Sequence, residues 1–357
     1  MTRQPRIGLA LSGGGFRATA FGLGAMRALH DRDLLRHVRV VSGISGGSLL
    51  TAMWAYGPEQ FADFDHTVTK ILRQGLQREL LKRTVSLSHA ARTIRSAASW
   101  RSIATGRSFS RTESLVQAVM HRDFGQRLMN EVTHPNLDAI ISATDLATAN
   151  AVRFGSRVSS SSPYGRITDA VPVADAVAAS AAFPALLPAL VRNYTFEAFD
   201  TGIRTVQRLS MTDGGVYDNL GITPLLPGRS SKHTAHVYDL DYVIAVDSGR
   251  GRETAKPAQY LMNRLKQTLT ISHGRVQDSG RSLLNVAAGN GLDGFVHVYL
   301  GMRDHLVRPL ADLVPRDVAR RCPTDFAAMS DAMFDAVTIR GEQLTRLVIA
   351  RHAPNLR

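Results

Sequence analysis

The chain has 357 residues, a single cysteine and a formal net charge of +13. That length can bury a large core, as one sizeable α/β domain or two smaller ones, and the lone Cys322 excludes an internal disulfide and suits a reducing compartment. Membrane-spanning helices are excluded too. Residues 40–58 lack charge but begin in a Gly/Ser-rich turn, and residues 176–191 carry Pro184 and Pro188 and fall short of the roughly 20 apolar residues a span needs.

In chain order, Met1-Thr2-Arg3-Gln4-Pro5-Arg6 shows no signal-peptide pattern and runs straight into a predicted strand over Arg6–Leu11. Ser12-Gly13-Gly14-Gly15 reads as a turn, and Phe16–His30 as a helix packed through Phe21, Gly24, Ala25, Ala28 and Leu29. Val38–Ser42 is a short buried strand, followed by Gly43-Ile44-Ser45-Gly46-Gly47 and a helix over Ser48–Tyr56 that Gly57-Pro58 stops. Residues 58–130 read as wholly helical, an insertion that interrupts the βα alternation. Within it, His66–Arg111 holds Lys70, Arg73, Arg78, Lys82, Arg83, Arg92, Arg95, Arg101, Arg107 and Arg111 against Glu79 alone. Such a block attracts an anionic membrane surface, or else is a solvated helical face. Trp100 is its only aromatic residue before Phe109, so stacking on nucleic acid is not expected.

Strands resume at Leu137–Ala143 and Ala151–Phe154, and Ser159–Ser162 reads as a polar loop. Tyr242–Val246 and Phe295–Leu300 are apolar strands, and helical patterns fill residues 257–287 and 325–351. The sum is one α/β domain over residues 1–357 with a mostly parallel central sheet. Its motif-bearing core covers 6–57 and 131–300, the basic helical insertion about 58–130, and a C-terminal helical region 301–357.

Four short blocks carry chemistry. Gly43-Ile44-Ser45-Gly46-Gly47 is a Gly-x-Ser-x-Gly between a strand and a helix, where a sharp turn exposes the serine hydroxyl and Gly43 and Gly47 relieve crowding. In Ser12-Gly13-Gly14-Gly15-Phe16-Arg17, three glycines let backbone N–H groups converge at a helix N-terminus, which suits an anion or an acyl-transfer oxyanion. A dinucleotide fingerprint also fits Gly13-x-Gly15-x-x-Ala18. That fold needs an acid at the end of the second strand, where this chain has Ser42-Gly43. No Gly-Lys-Ser/Thr follows, so it is not a P-loop. Met211-Thr212-Asp213-Gly214-Gly215-Val216-Tyr217-Asp218-Asn219-Leu220-Gly221 presents the Asp213 carboxylate on a tight turn. Ala179-Ser180-Ala181-Ala182-Phe183-Pro184 is a small-residue block whose role spacing does not reveal. His233 and His236 lie three apart in a polar loop, read as solvent-facing and not as metal ligands.

In this order the four blocks resemble the patatin-like phospholipases, over residues 12–221. The resemblance implies a patatin-like three-layer sandwich and a Ser–Asp dyad without a histidine. Ser45 would be the nucleophile and Asp213 its base, with Gly214 and Gly215 shaping the base loop. Gly13, Gly14 and Gly15 would form the oxyanion hole. Arg17 resembles the arginine that holds a substrate phosphate in cytosolic phospholipases A. Ala18 stands where many relatives have glycine, which bears on headgroup preference and leaves catalysis in place. No metal or cofactor is implied.

The implied activity is hydrolysis of fatty-acyl esters of membrane phospholipids, by a cytoplasmic protein peripherally bound to an anionic membrane through residues 66–111. Two alternatives stand beside it. One is a conventional Ser-His-Asp hydrolase drawing on Ser45, Asp213 or Asp247, and His297 or His305. The other is a catalytically silent lipid- or partner-binding module that uses the basic segment.

Overall fold

The computed structural model describes residues 4–76, 112–113, 115–116, 124–184, 187–251, 257–307 and 312–356. Ten strands form one sheet: β1 Ile7–Leu11, β2 Val38–Gly43, β3 Asp138–Asp145, β4 Ala151–Gly155, β5 Ser159–Ser161, β6 Gly165–Ile167, β7 Leu190–Glu197, β8 Arg204–Asp213, β9 Tyr242–Asp247 and β10 Gly294–Tyr299. The order is β10-β9-β1-β2-β3-β4-β5-β6-β7-β8, and β8 also pairs with β3. From β10 to β3 every pairing is parallel. From β3 onward the pairings are antiparallel, and the return of β8 to β3 closes that half on itself.

The helices are α1 Gly15–Asp31, α2 Gly46–Tyr56, α3 Phe61–Gln74, α4 Val173–Ser180, α5 Gly215–Asp218, α6 Leu261–Ala288, α7 Arg316–Ala319 and α8 Asp331–His352. Alternation along the parallel strands produces three layers, because successive side chains point to opposite faces. Ile7, Leu9, Leu11, Val41, Ile244 and Val246 pack with α1, α2 and α8. Ala10, Val40, Val243 and Ala245 pack with Leu220, Ile222, Leu225 and with Leu284 of α6.

Several sequence expectations need correction. Ser159–Ser161 is a buried strand and not a polar loop, and β6, β7 and β8 were not anticipated. The expected all-helical stretch 58–130 holds helix α3, but residues 125–130 are turns and a bridge from Leu128 to Pro172. Most of the basic segment 66–111, from residue 77 on, lies outside the described residues. His236 is buried, with His233 exposed beside it; burial, with Arg153 and Arg229 nearby, pushes the His236 imidazole down to about 3.

The C-terminal region is built into the core. Helices α1 and α8 cross closely at two glycines: a Cβ on Gly24 would overlap the Thr338 carbonyl, and one on Gly341 the Phe21 carbonyl.

Candidate active site

The parallel strands β1, β2 and β9 lie side by side, with Leu11 opposite both Gly43 and Val246. Their carboxyl ends therefore open into one crevice, the usual ligand position in sheets of this kind. The glycine turn follows β1. Ser12 N–H donates to the Val246 carbonyl and Gly13 N–H to the Asn219 carbonyl, each at 3.0 Å. Gly14 (φ 145°) and Gly15 (φ 59°) adopt conformations that favour glycine. Their N–H groups have no acceptor among the described residues, whereas Phe16 N–H already donates to the Asp325 carbonyl at 2.8 Å.

Ser45 comes two residues after β2 and caps α2, with φ 51° and ψ −117°. An L-residue holds that conformation only at a cost of about 1–3 kcal/mol, and the neighbours enforce it. A Cβ on Gly46 would overlap the Gly15 carbonyl, and one on Gly47 the carbonyls of Leu11 and Ser12. Ser45 N–H donates to Ser180 Oγ at 2.9 Å. Thr19 Oγ1 ties α1 to the elbow by donating to the Gly46 carbonyl at 2.8 Å.

Asp213 ends β8, where that strand meets β3 opposite Ala143. Its N–H donates to the Ala182 carbonyl at 3.0 Å, and Gly214 N–H to the Ser180 carbonyl at 3.2 Å. The block around Ser180 thus holds nucleophile turn and base loop together, a role its spacing did not reveal. The carboxylate accepts Gly215 N–H at 2.7 Å, and the Ser45 side chain lies close enough to act on its charge. Burial pushes Asp213 up to about 6; the Gly215 N–H and the nearby Ser45 side chain oppose that shift without cancelling it. Gly214 lies so close to the Ser142 carbonyl that a side chain would not fit.

Beside Ser45 opens a narrow apolar pocket lined by Leu49, Leu76, Leu115, Val177, Ala181 and Phe326. Phe326 is edge-on to Phe16 at 5.4 Å, and its carbonyl accepts Leu76 N–H at 2.9 Å. The C-terminal region, which carried no motif, so supplies one wall of the pocket and holds the glycine turn through Asp325.

Arg17 lies behind the glycine turn, with its Nη2 against Gly14. It is buried, and it donates to the carbonyls of Ser248 (3.0 Å) and Cys322 (3.2 Å) and to Thr324 Oγ1. Burial and the nearby Arg250 lower its pKa to about 10. Asp247 is fully buried and held by Gln277, Arg281 and His297 at 2.7, 2.7 and 3.2 Å. Burial alone would raise its pKa; the His297 and Arg281 interactions reverse that and hold it at about 2. His305 is exposed. Ser45 hydrogen-bonds to neither His297 nor His305.

Two residues near Asp213 were missed in the sequence. Asn219 Oδ1 lies 2.5 Å from where a Cβ of Gly13 or of Gly215 would sit, wedged between glycine turn and base loop. His273 of α6 comes to the same place: the Gly215 Cβ position is 2.9 Å from Asp213 Oδ1 and 3.2 Å from His273 Cε1. Its ring also packs on Phe183 at 5.5 Å. His273 leaves no local signal, since it reaches the site through the packing of a distant segment; Asn219 stands in the same block as Asp213, but its approach to Gly13 depends on how the two turns meet.

Residues 9–226 match the family model described as patatin-like phospholipase. The chain belongs to that family. Its fold is similar to that of human GIVD cytosolic phospholipase A2, with a TM-score of 0.55 at 14% identity, covering 97% of this chain and 62% of the human one. VipD from Legionella pneumophila aligns over 98% of this chain and 67% of its own, at 14% identity and a TM-score of 0.47. The chain thus spans about three fifths of the human enzyme. No curated protein gives a significant sequence match. Among the described residues no helix is long and apolar enough to cross a membrane.

Proposed function

We propose that this patatin-like protein is a lipid acyl hydrolase that cleaves fatty-acyl esters of phospholipids through Ser45 and Asp213. The observation that carries this reading is the approach of the Ser45 side chain to a buried carboxylate pushed up to about 6, beside an apolar pocket that Ser45 lines. A carboxylate in water is too weak a base for a serine; one whose charged form is disfavoured by burial gains proton affinity.

Ser45 Oγ attacks the ester carbonyl carbon as its proton passes to Asp213, and the tetrahedral oxyanion accepts the free N–H groups of Gly14 and Gly15. Gly13, whose N–H is taken by Asn219, serves by letting the turn approach Asn219 closely. Collapse breaks the ester C–O bond, and the departing alkoxide takes the proton from Asp213. Water then attacks the acyl-serine, Asp213 accepts its proton and returns it to Ser45, and the fatty acid leaves. Arg17 is assigned to hold the glycine turn, since its Nε and Nη1 are engaged by Ser248, Cys322 and Thr324 and its Nη2 lies against Gly14. The chain is read as one domain, and no metal or cofactor enters the scheme.

A fluorophosphonate probe tests this reading. Wild type is expected to label at Ser45 and to release free fatty acid from phospholipid vesicles. Ser45→Ala is expected to lose labelling, and its turnover should fall by a factor on the order of 10⁴. Labelling elsewhere, or release that survives in Ser45→Ala, would overturn it.

A further inference from the structure

Helix α6 is anchored through its second half and exposes side chains along its first. Its second half is fastened to the sheet by Gln277 and Arg281, which both donate to Asp247, by the buried Leu284, and by Gly280 against Leu220. His273 lies beside Gly215. Ahead of it Asn263, Arg264, Leu265, Thr268, Thr270, Ile271 and Ser272 are all exposed.

The composition of these exposed positions is unusual for a surface facing water. Tyr260, Leu265 and Ile271 are 75%, 51% and 61% exposed. Val216 and Tyr217 of α5, which packs against α6, are exposed by 40% each. Residues 257–277 contain Arg264, Lys266 and Arg275 and no acidic residue. Exposed apolar side chains among cations on a helix match an anionic lipid interface, where the cations meet headgroups and the apolar groups enter the acyl boundary.

We propose that the N-terminal half of α6 is the surface by which this protein docks on an anionic phospholipid membrane, holding the Asp213 side of the site against the lipid. The choice of a lipid surface over a protein partner rests on the hydrolase reading above, and on the charge: the only charged residues of the segment are basic. The proposed contact uses a different stretch of the sequence from the basic segment 66–111.

Co-sedimentation with vesicles of equal phosphatidylglycerol and phosphatidylcholine reads the surface, and hydrolysis of soluble p-nitrophenyl butyrate reads the dyad. Leu265→Asp/Ile271→Asp and Arg264→Glu/Arg275→Glu change exposed side chains, and unchanged circular dichroism would verify their folding. Each double variant is expected to weaken vesicle partitioning by roughly tenfold or more, with soluble-ester turnover within about twofold of wild type. Partitioning equal to wild type in both variants overturns the proposal. So does a wild type that ignores vesicles but self-associates through these residues in light scattering. A wild type that docks through α6 yet hydrolyses neither substrate upholds the surface and removes the dyad reading instead.

Discussion

Ser45 and Asp213 both hold states that folding alone would not choose, and each has a measurable consequence. Asp213 is raised to about 6 from 3.8 by burial. A carboxyl group raised on folding adds stability below its unfolded pKa, and that stability is lost as pH rises through the folded value. Above pH 6 the ionised Asp213 therefore costs about 3 kcal/mol. Asp213→Asn keeps an acceptor for Gly215 N–H and removes the buried charge. At pH 8 it is expected to melt several degrees above wild type in calorimetry while losing hydrolysis; an equal or lower midpoint would count against a buried ionised base. Wild-type turnover should rise through about pH 6 from the acid side, because only the ionised form accepts the serine proton. Ser45 and Asp213 were legible because turn chemistry marks them with glycines. His273 was not, because nothing local marks it, and the roles of Ser180 and Asn219, though both stand in marked blocks, depend on contacts between segments.

Among the elements, the α1–α8 crossing is the most sensitive joint. α1 begins at the glycine turn, so a shift of the helix moves the N–H groups of Gly14 and Gly15. The helices touch backbone to backbone through Gly24 and Gly341, and Gly341→Val must push them apart, at about 2 kcal/mol or more. Its unfolding midpoint is expected to fall by several degrees, with a larger fractional loss of turnover than of folded protein. An unaffected midpoint would show that the crossing is not tight. The same scale explains which strands were legible. The apolar runs of β1, β2, β9 and β10 identify strands covered on both faces. β5 is three serines, and β7 and β8 mix exposed and buried positions irregularly, so no period of two shows.

For the whole molecule, the family match ends at residue 226, yet the site does not end there. β9 lies in register beside β1 from Ile7↔Tyr242 to Leu11↔Val246. The Phe16 N–H and the pocket wall depend on Asp325 and Phe326. A fragment of residues 1–230, which retains all four motif blocks, is therefore expected to be insoluble or molten and unreactive to fluorophosphonate. A folded, labelled fragment would refute this interdependence.

The sequence by itself determined the family resemblance, the three-layer α/β plan, and Ser45 and Asp213 as candidates, because strained turns demand glycine and buried strands demand apolar runs. Only the tertiary structure decided what surrounds them. It committed Arg17 to backbone carbonyls and Gly13 to Asn219, and brought Ser180, His273 and Phe326 to the site from three separate segments. The physical reason is one of range. Turn and strand preferences act over a few neighbouring residues, whereas hydrogen-bond partners and pocket walls depend on which distant segments the core packs together.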